Sequence, residues 1–130
     1  MKPIRSVSTF AISSSKDVSA LLKELVKNRQ LTSLSICYGA LSSADIKLLA
    51  SMRQLQYLSL RYTPITNSDL KVLTTLVNLR SLDLDSTMVD KTAIDTLLYF
   101  PKLERLVIDG LSVEDEQRLL RTHRYLRSIE

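Results

Sequence analysis

Glycine is scarce in this chain of 130 residues, which has 2 glycines, 1 cysteine, 1 histidine and no tryptophan. With so few glycines, neither of the common glycine-rich phosphate-binding motifs can be written. One cysteine excludes a disulfide framework and a cysteine-based zinc site, and one histidine excludes a multi-histidine metal site. These shortages point away from the common enzyme and metalloprotein classes, and we predict no catalytic residues and no cofactor.

Long apolar segments are missing as well. Lys2 and Arg5 stand near the N-terminus, but Ser6, Ser8 and Thr9 interrupt the segment that follows them, so a secretory signal is not predicted. No stretch approaches the roughly 20 apolar residues of a membrane span. We therefore expect no membrane association and a cytoplasmic location.

The net charge of +4 conceals three regions of different sign. Residues 1–82 carry 11 basic and 4 acidic side chains, residues 83–116 carry 3 and 9, and residues 117–130 carry 4 and 1. An acidic block repels a phosphate backbone, so nucleic acid is not the expected partner. We expect this polarity along the chain to influence which partner is chosen.

The strongest feature is an internal repeat of 24 residues. Three apolar residues recur in each unit, at the first, fourth and sixth positions of a short segment. The full triplets are Val7/Phe10/Ile12, Leu31/Leu34/Ile36, Leu55/Leu58/Leu60, Leu79/Leu82/Leu84 and Leu103/Leu106/Ile108. A last partial copy, Leu126/Ile129, comes one residue early. A further apolar residue follows most triplets, at Leu41, Ile65, Val89 and Val113. Apolar residues at helical spacing come next, as in Ile46/Leu49/Met52. Each unit thus predicts a half-buried strand followed by a helix.

The clearest unit, residues 55–70, reads LQYLSLRYTPITNSDL and resembles the 24-residue, bacterial-type repeats of the leucine-rich repeat family. The resemblance implies an α/β solenoid, a right-handed βα superhelix curved like a horseshoe, with a parallel sheet on the concave face and helices on the convex face. We expect one domain over residues 1–130, with strands near residues 7–12, 31–36, 55–60, 79–84, 103–108 and 126–129. Gly39, Thr63 and Thr87 depart from the family pattern, since they stand where asparagine is common.

Capping residues mark the predicted helix starts. Ser42 precedes Asp45 by three residues, Thr66 precedes Asp69 in the same way, and Asp90 opens the next helix. Short polar side chains there accept hydrogen bonds from the free N–H groups of the first turn. The longest amphipathic helix is predicted over residues 17–27, from Asp17 to Lys27.

The outward strand positions form columns on the concave face, because each strand pairs with its counterpart in the next repeat. Three of the five tyrosines fall in these columns, and tyrosine and arginine are the types most enriched at interface hot spots. Asp83, Asp85 and Asp109 form an acidic strip beside them, which suits a partner with a basic patch. We therefore predict partner contacts at Tyr38, Tyr57, Arg61, Tyr62, Arg80, Asp83, Asp85, Arg105 and Asp109. The alternative is that a cross-strand Tyr38/Tyr62 pair only stabilises the sheet and contacts no partner.

The remaining chemically active side chains suggest no reaction. His123 takes the place that Leu76 and Phe100 hold in earlier repeats, so we interpret it as a structural histidine at a helix end. Cys37 ends a strand and is interpreted as a small filler. The acidic strip offers too few oxygens for calcium, so no metal site is predicted. We interpret the run Arg118, Arg121, Arg124 and Arg127 as the solvated face of the last helix.

The predicted function is non-enzymatic recognition of a partner protein through the concave sheet. By resemblance, one version is a bacterial effector or adaptor, which could be secreted without a classical signal peptide. A structural or oligomerisation unit that associates through its terminal repeats is the alternative, and the edge strand Val7–Ile12 is a candidate for self-association. A nucleic-acid-binding module that uses the basic N-terminal half and the C-terminal arginine run is a third, less favoured possibility.

Overall fold

A computed structural model describes residues 7–13 and 18–130 of the chain. These residues build one open sheet of six parallel strands in chain order. One strand comes from each repeat, and a helical segment returns the chain to the start of the next. The strands are β1 Thr9–Ser13, β2 Ser33–Cys37, β3 Tyr57–Ser59, β4 Ser81–Asp83, β5 Arg105–Val107 and β6 Ser128–Ile129.

The return segments differ in length and regularity. Two of them contain short 3₁₀ turns, at Leu73–Thr75 and at Lys91–Ala93. The helices are α1 Val18–Leu25, α2 Ser43–Ala50, α3 Asn67–Val72, α4 Ile94–Leu97 and α5 Val113–Thr122. The helix predicted from Asp17 ends at Leu25, and Asp17 lies outside the described residues. In the described part of the chain, no helix has the length and apolar content needed to cross a membrane.

The sheet register stacks equivalent residues directly on one another. Leu34, Leu58, Leu82 and Leu106 are partners in successive strands, and all four are buried. The strands begin two residues after the first apolar residue of each triplet. Leu31, Leu55, Leu79 and Leu103, which hold that first position, are fully buried, and Val7 is partly buried. Since no repeat can bury its apolar face alone, stacking supplies the continuous core.

Both predicted capping boxes are confirmed. The Ser42 hydroxyl accepts from the Asp45 N–H, and the Asp45 carboxylate accepts from the Ser42 N–H. Thr66 and Asp69 make the same reciprocal pair at α3. These bonds satisfy N–H groups that have no partner inside the helix, and thus fix where the return segments begin.

Two details of the last repeat were predicted wrongly. Val113 is 69% exposed instead of buried, and Leu111 packs against the core in its place. The reason is a shift of the helix start. Ser112 caps α5, and its repeat position lies two residues before that of Asp90, which caps the 3₁₀ turn Lys91–Ala93 in the preceding repeat. The arginine run also does not form one helix face, because α5 ends at Thr122, so Arg124 and Arg127 lie beyond it.

In each turn that follows β2 to β5, one residue has a left-handed backbone conformation. It is the eighth residue of the repeat, counted from the first leucine of the triplet. Tyr38, Tyr62 and Ser86 have φ values of 58°, 58° and 56°, and Gly110 has 76°. Side chains other than glycine cost about 1–2 kcal/mol in this conformation. Turns made without glycine therefore carry local strain, and only Gly110 avoids it.

Exchanging glycine at this position is expected to change stability in opposite directions. Ser86→Gly should raise the free energy of unfolding by about 0.5–1 kcal/mol, because it removes the strain. Gly110→Ala should lower it by about 1 kcal/mol through the backbone alone, since a Cβ there would meet no atom within 4 Å. Urea denaturation of both variants measures these shifts. Equal effects of the same sign would contradict the assignment of strain.

Candidate functional site

Six of the nine predicted binding residues lie together where the strands end. We call them the trailing cluster: Tyr38, Arg61, Tyr62, Asp83, Asp85 and Asp109. The backbone brings them together, because the Tyr38 N–H donates to the Arg61 carbonyl and the Tyr62 N–H donates to the Asp85 carbonyl in the neighbouring repeats. The parallel register thus converts a 24-residue spacing in sequence into side-by-side placement.

An exposed aromatic stack dominates the trailing cluster. The rings of Tyr38 and Tyr62 are parallel to within 2°, and their centroids are 4.7 Å apart. The guanidinium carbon of Arg61 lies 5.7 Å from the centroid of the Tyr62 ring. The two tyrosines remain 58% and 44% exposed, so the stack presents a rigid, amphipathic surface to solvent. Such aromatic groups contribute much contact area at little cost in conformational entropy.

Arg61 pairs with two of the aspartates of the predicted acidic strip, Asp83 and Asp85. Its Nη2 donates to Asp85 Oδ2 at 2.7 Å, and its Nε lies 3.7 Å from Asp83 Oδ2. The hydrogen bond from Arg61 lowers the pKa of Asp85, and the same bond raises the pKa of Arg61. Asp83 and Asp109 also accept from the N–H groups of Asp85 and Ser86. The trailing cluster is therefore an internally bonded network, in which Asp83, Asp85 and Asp109 already accept contacts from the chain itself.

The other three predicted residues lie nearer the strand starts and do not join the trailing cluster. Tyr57 borders a shallow depression of about 130 Å³ that crosses β2 to β5. Arg105 donates from Nε and Nη2 to the Glu130 carboxylate, at 3.2 and 2.9 Å. Within residues 7–13 and 18–130, the Arg80 side chain makes no ion pair. The depression at Tyr57 is also lined by Arg105 and by Asp83, so it adjoins the trailing cluster at Asp83.

A groove along the strand starts was largely missed by the sequence prediction. Two clefts of about 270 and 260 Å³ share Arg80 and Lys102, and we call the pair the leading groove. Its other lining residues are Glu104, Tyr125, Thr32, Gln54, Gln56 and Asn78. Lys102 and Tyr125 directly precede the first leucine of their repeats, a position to which the sequence analysis assigns no role. Gln54 and Asn78 hold the same repeat position as Lys102 and Tyr125, and this recurring row of polar side chains is the sequence pattern that indicates the groove.

His123 and Cys37 lie in structural surroundings. His123 is buried at the end of α5, and its Nε2 donates to the Phe100 carbonyl at 2.6 Å, while its Nδ1 faces the Tyr125 N–H at 3.4 Å. Both ring nitrogens are thereby used to hold the last turn. Cys37 Sγ lies 3.5 Å from the Ser35 hydroxyl, within hydrogen-bond distance. This geometry agrees with the structural interpretation of both residues.

The repeat, the register and the sheet define a leucine-rich repeat solenoid, and comparisons with known proteins agree. Residues 29–89 match the sequence model of the leucine rich repeat family. The crystal structure of an internalin from Listeria monocytogenes is similar, with a TM-score of 0.65 and 22% sequence identity. The match covers 84% of this chain and 31% of that one. Comparison with curated protein sequences returns no match.

The chain therefore has the leucine-rich repeat fold that its sequence predicts, and residues 29–89 carry the match to the family. At 22% identity the likeness to the internalin concerns the fold. This chain spans less than a third of the length of the internalin chain. Solenoids of this kind commonly bind other proteins on their extended concave surface.

Proposed function

We propose that this chain is a non-enzymatic recognition module, which binds a partner protein through the open face of the sheet. The observation that carries the proposal is the exposed Tyr38–Tyr62 stack beside Arg61. Tyrosine and arginine dominate interface hot spots, and a rigid pair loses little entropy when it binds. An effector or adaptor role, in the cytoplasm or after non-classical secretion, is the specific form that we propose for this activity.

Removing the stack should abolish partner capture. We expect the double variant Tyr38→Ala/Tyr62→Ala to weaken binding by at least about tenfold, as truncation of a hot spot does. Affinity capture from a lysate of the source cells, with the parent chain as bait, identifies the candidate partner. Titration of that purified protein onto each variant then measures the dissociation constant.

A tyrosine on the other side of the solenoid provides the matched control. Tyr99 follows α4 and is 70% exposed, so Tyr99→Ala removes an exposed tyrosine while the sheet face stays intact. It should bind the partner as the parent does. If the stack variant and the Tyr99 variant bind equally well, the sheet face is not the binding surface.

Association through β1 is a second candidate function. Among the described residues, β1 pairs only with β2, and its Thr9, Ala11 and Ser13 side chains are exposed. An edge of this kind can pair with another chain. We expect a concentration-dependent mass in light scattering, which Ala11→Lys should reduce. A constant monomer mass over the whole concentration range would remove this candidate.

A further inference from the structure

Charge is divided across the sheet as well as along the chain. Parallel strands place all their amino ends at one edge, here called the leading edge, which comprises residues 28–32, 52–56, 76–80, 100–104 and 123–127. Its only acidic residue is Glu104, and its six basic residues are Arg29, Arg53, Arg80, Lys102, Arg124 and Arg127. The opposite turns, residues 37–42, 61–66, 85–90 and 109–114, hold the reverse balance: one basic residue, Arg61, against Asp85, Asp90, Asp109 and Glu114.

The positive charge of the leading edge is not neutralised by the fold. Within residues 7–13 and 18–130, none of its six basic side chains pairs with a carboxylate. Lys102 Nζ donates to the Asn78 amide oxygen at 2.8 Å, and the Arg124 guanidinium carbon lies 5.3 Å from the centroid of the Tyr125 ring. The trailing cluster differs, because Arg61 already binds Asp85 there. The positive charge along the leading edge is thus available to a ligand, whereas Arg61 engages part of the negative charge at the opposite ends of the strands.

The leading groove lies along this positively charged edge and is elongated in the direction that crosses the strands. Its two clefts meet at Arg80 and Lys102, so they continue one another across several repeats. Gln54 and Asn78 donate to the backbone carbonyls of Asn28 and Arg53, which fixes their amides along one part of the groove. Side-chain amides with remaining donors and acceptors are suited to the alternating groups of an extended peptide.

The lining also argues against a phosphate backbone as the ligand. Glu104 lies in the same cleft as Arg80 and Lys102, and a carboxylate there opposes a continuous row of phosphates. A peptide can avoid this residue, because its acidic side chains are discrete and can be spaced around Glu104. Tyr125 adds a partly apolar wall that a peptide side chain can cover.

From these observations we propose that the leading groove binds an acidic, extended segment of the partner protein. The inference rests on the proposed function, since it assigns the chemistry of the partner and its orientation on the sheet. The acidic segment lies over Arg80 and Lys102, while the remainder of the partner contacts the trailing cluster. Complementary charge of this kind mainly sets the association rate and the orientation of the complex.

A fluorescein-labelled deca-glutamate peptide tests the groove without the natural partner. Fluorescence anisotropy with the full chain should show saturable binding that weakens as salt is added. The variant Arg80→Glu/Lys102→Glu should lose at least about tenfold in affinity. Glu104→Gln should gain about twofold to fivefold, because it removes the one acidic side chain of the groove.

A matched control separates the groove from net charge. Arg118→Glu/Arg121→Glu makes the same change in charge on α5, and it should leave peptide affinity within about twofold of the parent. Circular dichroism confirms that each variant is folded. Equal losses in both double variants, no saturable binding at low salt, or tighter binding of a single-stranded oligouridylate than of the peptide would each overturn the proposal.

The result is independent of the test of the proposed function. If the stack variant loses the captured partner while Arg80→Glu/Lys102→Glu binds it with unchanged affinity and rate, the sheet face recognises a protein but the groove does not take part. If the peptide binds as expected and the stack variant still binds the partner, the result supports the leading groove as a binding site for acidic peptides. It then contradicts the proposed contact between the partner and the trailing cluster.

Discussion

Replacing Phe100 with alanine is expected to lower the free energy of unfolding by about 3–5 kcal/mol. Phe100 is completely buried, at the position where Met52 and Leu76 fill the same column in earlier repeats. The lost ring leaves a cavity that stacked neighbours cannot close without shifting. The Phe100 carbonyl also accepts the hydrogen bond from His123, so the cavity adjoins the anchor of the last turn.

The neighbouring residue gives the control for this prediction. Tyr99 is adjacent in sequence and of similar size but largely exposed, so Tyr99→Ala should change stability by no more than about 0.5 kcal/mol. Guanidinium denaturation followed by far-ultraviolet circular dichroism measures both values. Comparable losses for the two variants would mean that the stacked column does not carry the stability of the C-terminal repeats.

The core could be predicted from the sequence because each buried position recurs at the same spacing. Leu34, Leu58, Leu82 and Leu106 form one column, and a strand register with no stagger is the only way to bury them together. Prediction failed where the repeat changes length. Val113 has the right spacing for burial, but the earlier cap at Ser112 turns it outward.

The candidate site was less predictable, because it depends on which charged side chains find partners. The columns correctly placed Arg61, Asp83 and Asp85 near one another, yet spacing alone did not show that Arg61 would bind both carboxylates. The charge pattern along the chain also concealed the division across the sheet. Residues near Arg80 and Lys102 are far apart in sequence, and only the turn geometry aligns them into one positive edge.

Asp45 illustrates a contact between repeats that the capping pattern could not reveal. Its carboxylate caps α2 and also accepts from the Ser19 hydroxyl of α1 at 2.9 Å. Asp69 makes the same capping box at α3, without an equivalent bond from the preceding helix among the described residues. Asp45 is buried whereas Ser19 and Ser42 are exposed, so losing the carboxylate removes two charge-assisted hydrogen bonds at the junction of α1 and α2.

Asp45→Ala should therefore lower the free energy of unfolding by about 2–3 kcal/mol at neutral pH, against about 1 kcal/mol for Asp69→Ala. Adding Ser19→Ala to each background isolates the contact between α1 and α2. The cycle should show coupling between Ser19 and Asp45 but none between Ser19 and Asp69. If Asp45→Ala costs no more than Asp69→Ala, the bond to Ser19 contributes nothing to stability.

The effect of Asp45 should also depend on pH. Burial acts to raise the pKa of its carboxyl, but hydrogen bonds from the Ser42 N–H and from the Ser19 and Ser42 hydroxyls outweigh it, so the pKa is lower in the folded chain. A carboxylate with a lowered folded pKa stabilises fully above its unfolded pKa of about 3.9, and this contribution is lost as pH falls through the folded value. The stability difference between the parent and Asp45→Ala should thus shrink in urea titrations below about pH 4. A difference that stays constant down to acid pH would show that the ionised carboxylate is not what holds the two helices together.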